Sequence, residues 1–264
     1  MFDKNKKEEY VEQHGILNLG KDYHVYHMTK RDILISYAIG MVIGVVVAAS
    51  FFGSIIFALI CGIVCAIFAP KIWNNYKREQ VQNNLKLQFK DLLDSLNASY
   101  LAGKNTTNAF KASEKDMISI YGETADIVNE VQIINTGLEN NINIETMLLD
   151  LAERSGLDDI KTFASVFEVC NRQGGNLKNV VSETRDILND KIEVEMEIDT
   201  LLTANKNDLN ILTVMPIVVV IMLNGLGSGT ITQNTVGNVV LKIICLGIFV
   251  AAYLIGKKIT DIKM

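Results

Sequence analysis

From Ile33 to Pro70 the chain carries no charged side chain over 38 consecutive positions, ILISYAIGMVIGVVVAASFFGSIIFALICGIVCAIFAP. As one helix this run would be about 57 Å long at 1.5 Å per residue. A hydrocarbon core is about 30 Å thick, so the length implies two crossings rather than one. Glycine and serine interrupt the aliphatic run at Ser50-Phe51-Phe52-Gly53-Ser54 and leave nearly equal halves on either side. A membrane hairpin is predicted, with its turn there. A secretory signal peptide is not expected, because a polar stretch precedes the run and the run is too long for a signal core.

A second apolar pair follows near the end of the sequence, Ile211 to Leu223 and Val239 to Gly256, around the uncharged segment NGLGSGTITQNTVGN. The first member is short for a span, and Pro216 removes a backbone donor within it, so a kink or recruitment of Leu209 and Asn210 is expected. Lys242 falls near one end of the last span, where its ammonium can reach the interface.

Lysine and arginine flank these runs at their outer ends: Lys30 and Arg31, then Lys71, Lys77 and Arg78, then Lys206, then Lys257 and Lys258. Neither hairpin tip is charged. The positive-inside rule therefore puts the N-terminal tail (1–31), the domain between the hairpins (71–208) and the C-terminal tail (257–264) in the cytoplasm, with hairpins at 32–70 and 209–256. Of the four cysteines, Cys61, Cys65 and Cys245 fall in predicted spans and Cys170 in the domain, so no disulfide framework is implied.

The segment between the hairpins reads as all helix, without proline or strand alternation. A long first helix is predicted from Gln80 to Leu101, with Leu85, Leu87, Phe89, Leu92, Leu93, Leu96 and Tyr100 on a wide apolar face. Shorter helices are predicted near Thr106–Ser113, Gly122–Thr136, Ile144–Arg154 and Leu157–Gln173, then a long one from Leu177 to about Asn205 that feeds the third span. In the helix from Leu157, Ile160, Phe163, Ala164, Phe167 and Cys170 recur at core spacing.

One signature occurs three times. A residue suited to a left-handed turn (Gly103, Asn141, Gly175) ends one helix, an asparagine (Asn105, Asn143, Asn176) caps the next, and an apolar pair (Ala109-Phe110, Met147-Leu148, Val180-Val181) docks its first turns. The third copy, NRQGGNLKNVV, places Gly174 beside Gly175. It lacks the preceding strand and the lysine spacing of a phosphate loop, so it reads as the corner between two helices.

No catalytic constellation emerges. His24 and His27 have no cysteine partners and read as tail histidines rather than metal ligands, His14 stands alone, and Cys61 and Cys65 read as packing residues. Residues 71–208 hold 15 basic and 23 acidic side chains, a balance of −8 that argues against nucleic acid as a ligand. In the long final helix Glu183, Asp186, Asp190, Glu193 and Glu197 share an arc of roughly 80°, opposite Val181, Leu188, Ile192 and Met196. The strip reads first as the solvated face of an amphipathic helix, with a docking strip for a basic surface on a partner as the alternative. The spans carry almost no ionisable groups, which speaks against solute transport.

This layout, with LAGKNTTNAF, NINIETMLLDLAERSG and EVCNRQGGNLKNVV in the domain, Pro216 in the third span and a Gly256-Lys257-Lys258 ending, resembles the type II secretion F-domain family. That family comprises inner-membrane platform proteins, and the nearest likeness is to the TadB/TadC-like members of Tad pilus assembly. The similarity spans roughly Leu85 onward, and where the family commonly has glycine this chain has Asn141. The resemblance implies a non-enzymatic protein without cofactor or metal, built as an all-α membrane protein with two transmembrane hairpins flanking a cytoplasmic bundle. It also implies membrane lipid, a cytoplasmic secretion ATPase, pilin-like subunits and a second copy or paralogous platform subunit as partners. A membrane-anchored signalling or scaffold protein is the alternative; an integral-membrane enzyme lacks a visible polar constellation.

Overall fold

The computed structural model describes residues 14–52 and 55–225 and scattered positions between 244 and 256. Among the described residues every regular element is an α-helix. The chain divides into two compact units, one comprising Met1–His27 and Asn75–Ile192, the other Met28–Asn74 and Glu193–Met264.

The second unit is the apolar one. It contains α1 (Lys30–Phe52) and the first half of α2 (Ile55–Leu101). Lys30–Ser50 and Ile56–Leu101 are long and apolar enough to cross a membrane. They pack through small residues: a Cβ on Gly40 would lie 2.6 Å from that of Ala69, and one on Gly44 would lie 2.8 Å from the Cα of Gly62. Ala48 and Ala58 continue this seam as a buried pair. As the α1 partner advances the α2 partner recedes, so the two helices are antiparallel. Away from the seam, Leu34, Val42, Ile56, Ile67 and Phe68 are exposed. A helix apolar on every face has no soluble surface to offer, and such helices belong in a large core or in lipid. The hydroxyls of Ser36 and Ser50 donate to the carbonyls of Ile33 and Val46, so neither is stranded in apolar surroundings. Of the predicted turn, Ser50, Phe51 and Phe52 belong to α1, and Gly53 and Ser54 lie outside the described residues.

The helix predicted at Thr106–Ser113 runs on to Tyr121, the one predicted at Gly122–Thr136 spans Asp126–Glu139, and two continuities also differ from the sequence reading. Helix α2 continues through Pro70 instead of restarting at Gln80, and α7 (Leu177–Gly225) continues through Pro216. A proline deletes one backbone donor and crowds one carbonyl, which bends a helix without ending it where both flanks favour helix. The apolar part of α7, Asn207–Met222, is shorter than the two helices long enough to cross a membrane. The fourth predicted span, Val239 to Gly256, lies outside the described residues except for isolated positions.

The first unit is a bundle arranged around the second half of α2. Leu85, Phe89, Leu92, Leu93 and Leu96 are buried, as the heptad-like spacing requires, and Leu87 lies outside the stripe and is exposed. Around it run α3 (Thr106–Tyr121), α4 (Asp126–Glu139), α5 (Ile144–Ser155) and α6 (Asp158–Arg172), each packed on the next. Phe89 of α2 meets Phe163 of α6 edge-on, with ring centroids 5.5 Å apart. Polar links tie α2 to its neighbours. The Gln88 side chain accepts from the Ile127 amide at the start of α4, Gln82 donates to the Ser155 carbonyl at the end of α5, and Ser95 donates to Asp116 of α3.

Candidate functional site

The repeated turn signature maps onto three helix starts with different chemistry at each. Gly103 and Asn141 have positive φ, 77° and 60°. In the third copy the left-handed residue is Gly174, φ 67°, and not Gly175. Gly175 is required for a different reason: a Cβ there would lie 2.4 Å from the Cys170 sulfur. Asn105 caps α3 by accepting from the Asn108 amide at 2.9 Å. Asn143 occupies the N-cap position of α5 with extended backbone but makes no side-chain cap bond. The Asn176 carbonyl accepts from Asn179 and Val180 in the first turn of α7. Ala109, Phe110, Met147, Leu148 and Val181 are buried, so the apolar pairs do dock these turns.

On α7, Glu183, Asp186, Asp190, Glu193 and Glu197 are all exposed. On the opposite side Val181, Leu188 and Ile192 are buried, whereas Met196 is exposed and lies beyond the boundary of the bundle unit. The strip is not uniformly anionic. Arg185 donates to Asp186 at 2.6 Å and approaches Asp94 of α2 at 3.7 Å. Glu183, Asp190, Glu193 and Glu197 carry the rest of its negative charge.

The most constrained chemistry in the bundle unit is elsewhere. Arg154, in the last turn of α5, is 1% exposed. Its Nη1 and Nη2 donate to the two oxygens of Glu130 on α4 at 2.9 and 2.7 Å, and its Nε donates to Asp150 at 2.9 Å. Nη1 also donates to the carbonyl of Lys21 at 3.0 Å, which brings in the segment before α1. Residues 14–27, an unassigned tail in the sequence reading, are draped over α4 and α5. Gly15 and Gly20 lie flat on the Arg154 side chain, where a Cβ would come within 2.8 Å of its Nε in both cases.

Four further contacts hold this strap. Tyr23, 2% exposed, donates from its hydroxyl to Glu130 at 3.0 Å, and its amide donates to the Arg154 carbonyl at 2.9 Å. The Ile16 amide donates to Asp150, and the Lys21 ammonium pairs with Asp126 at 2.9 Å. Burial pushes the Tyr23 phenol well above its ordinary value, reinforced by the charges of Glu130 and Asp126. Burial acts to lower the Arg154 pKa, but Glu130 and Asp150 outweigh it and the guanidinium stays protonated.

The two tail histidines sit apart from any metal-ligand set. His24 Nδ1 lies 3.1 Å from Asp22, and among the described residues no group of three or more metal-ligating side chains is placed to hold an ion. An open acidic trough lies between α2 and α3, lined by Asp91, Asp94, Ser95 and Asp116. Tyr121 donates to Asp91 there, and its phenol is pushed up to about 12, by burial first and then by that carboxylate.

No protein-family model, curated protein or solved structure matches the chain.

Proposed function

We propose that this chain is a non-enzymatic platform protein of the inner membrane, which couples a cytoplasmic secretion ATPase to the assembly of pilin-like subunits in a Tad-type or related secretion machine. The observation that carries the reading is the pairing of an all-helical bundle with apolar helices through unbroken α2 and α7. Each of these helices joins part of the bundle to an apolar segment by continuous backbone, the route by which displacement of the bundle would act on the membrane helices. The antiparallel α1–α2 pair supports a membrane hairpin, and the lysine and arginine flanks support a cytoplasmic bundle. The exposed strip on α7 suits the basic surface of a partner such as the ATPase.

The test is co-purification of the tagged protein, extracted in mild detergent, with a secretion ATPase encoded in the same genome, together with surface-filament counts after gene deletion. Capture of the ATPase and loss of filaments is the expected result. Unchanged filaments and no captured ATPase would leave the second reading, a membrane-anchored signalling or scaffold protein. Residues 14–27, ordered against α4 and α5, favour that second reading, because an order–disorder change of a terminal segment is one device for relaying an event.

A further inference from the structure

Beside the acidic strip on α7 runs an apolar row that the bundle does not cover. Ile187, Val194 and Leu201 are 62%, 48% and 69% exposed, and each follows the last by seven residues. Seven residues are two turns less about 20°, so the three side chains stand in one line about 21 Å long. The line lies on a different side of the helix from Val181, Leu188 and Ile192, which are buried. A lone aliphatic residue on a surface needs no explanation, but three aligned at heptad spacing form one half of a helix–helix seam. Helix α7 is unbroken over this range, so continuous backbone keeps the row in line.

The second position of that seam is anionic. Asp190 and Glu197 follow Ile187 and Val194 by three residues, Glu183 precedes Ile187 by four, and all three carboxylates are exposed. An ordinary seam is apolar at both positions; here one greasy row and one charged row run side by side. This asymmetry selects the occupant. Two copies of α7 paired in parallel would set these carboxylates against their own counterparts, and paired antiparallel would press them onto the apolar row. Either arrangement buries charge without a partner. An anionic lipid surface would meet the same carboxylates and be repelled.

We propose that this face of α7 docks a cationic amphipathic helix of a partner protein, apolar at every seventh residue and carrying lysine or arginine where it meets Glu183, Asp190 and Glu197. Long cationic side chains suit the place, because their methylene stems can cover the apolar row while the charged ends reach the carboxylates. The row supplies the area removed from water, and the carboxylates fix the register and exclude other helices. A helical occupant deepens the docking role proposed for the strip by naming the shape of what docks. It can be measured with a peptide and no ATPase, so its failure leaves the platform reading standing.

The test uses the full chain in nanodiscs of phosphatidylcholine and two fluorescent peptides of about three heptads. Each peptide has leucine at every seventh position, with lysine three residues later in one and four residues later in the other, which covers both helix orientations. One of them should bind saturably by anisotropy, at least tenfold more tightly than its counterpart with serine for leucine. Ile187→Ser/Val194→Ser/Leu201→Ser and Glu183→Gln/Asp190→Asn/Glu197→Gln should each weaken that binding at least tenfold and leave helix content and melting unchanged, since all six side chains are exposed. Full binding by the first variant would mean that charge alone holds a flat basic surface, and full binding by the second that the carboxylates play no part; either result overturns the proposal. Equal binding to empty discs, or binding of neither peptide, overturns it too. So does a dimer of the chain, seen by sedimentation in detergent and lost in the first variant, because the face would then belong to a second copy.

Discussion

Arg154 and Glu130 meet as a two-pronged ion pair, Nη1 and Nη2 on Oε1 and Oε2, with both side chains sealed from solvent at the junction of α4 and α5. A planar guanidinium matches a carboxylate in this geometry and in few others, so the pair fixes the register of the two helices as well as their contact. Removing one partner leaves the other charged and buried. Arg154→Met is therefore expected to destabilise the bundle by about 3–5 kcal/mol. Adding Glu130→Leu should recover much of that loss, because the stranded carboxylate is gone. Urea titration of the two variants beside the parent protein measures both numbers; a double variant no better than the single would mean that the pair contributes packing and not charge compensation.

The Tyr23 phenol gives the same region a pH dependence. Its folded pKa is raised above the ordinary 10.0, first by burial and then by Glu130 and Asp126. The folded state thus holds this proton more tightly than the unfolded chain does. Its contribution is complete below pH 10 and declines as pH rises above that value, at no more than about 1.4 kcal/mol per pH unit. Absorbance at 295 nm should show one tyrosine that ionises only as the bundle unfolds, and Tyr23→Phe should remove that step and flatten the alkaline loss of stability.

Much of the bundle was legible because its signals are periodic. Leu85, Phe89, Leu92 and Leu96 on α2 and Ile160, Phe163, Ala164 and Phe167 on α6 are buried as their spacing requires. Turn chemistry was legible to the motif but not to the atom. Two adjacent glycines at 174 and 175 do not say which takes positive φ, and an asparagine at 143 does not say whether its side chain closes the cap. Continuity through Pro70 and Pro216 was hidden, because proline marks the loss of a donor and the flanking turns decide whether the helix survives. The strap was missed entirely, yet a signal existed. Arg154 shares a face with Met147 and Leu151, and Glu130 shares one with Ile127 and Ile134. Opposite charges on the buried faces of two neighbouring helices call for each other and for cover.

The two asparagine caps separate a position from an interaction. Asn105 accepts from the Asn108 amide, so Asn105→Ala should cost about 1 kcal/mol. Asn143→Ala should be close to neutral, because no such bond exists at the start of α5. Asn141, at φ 60°, should tolerate glycine and lose about 1–2 kcal/mol to valine, which resists the left-handed region. Thermal melts of the four variants check the order.

The α1–α2 seam depends on atoms that cannot move aside. A Cβ at Gly44 would meet the Cα of Gly62, which is backbone and not the tip of a flexible side chain. Gly44→Val should therefore separate the helices at an overpacking cost of about 1–3 kcal/mol. With the native cysteines replaced, an Ala48→Cys/Ala58→Cys pair should oxidise readily in the parent seam and at least tenfold more slowly in the Gly44→Val background. Equal rates would show that the two helices do not pack through their small residues.

The α7 strip distinguishes docking from solvation because the two roles respond differently to charge removal. Glu183, Asp190, Glu193 and Glu197 are exposed, and exposed charges on a helix face contribute little to stability, so Glu183→Gln/Asp190→Asn/Glu193→Gln/Glu197→Gln should shift the melting temperature by no more than about 2 °C. Asp186 is left intact because its pairing with Arg185 ties it to the bundle side of the helix. If the strip docks a basic partner, the fourfold variant should lose at least tenfold in capture of the secretion ATPase, with the loss concentrated in the association rate. Capture by the parent protein should itself weaken as salt rises from 50 to 300 mM, since the Debye length shrinks from about 14 to 6 Å over that range. A variant that melts normally and still captures the ATPase at parental levels would assign the strip to solvation alone, and the contact would have to lie on another face of the bundle.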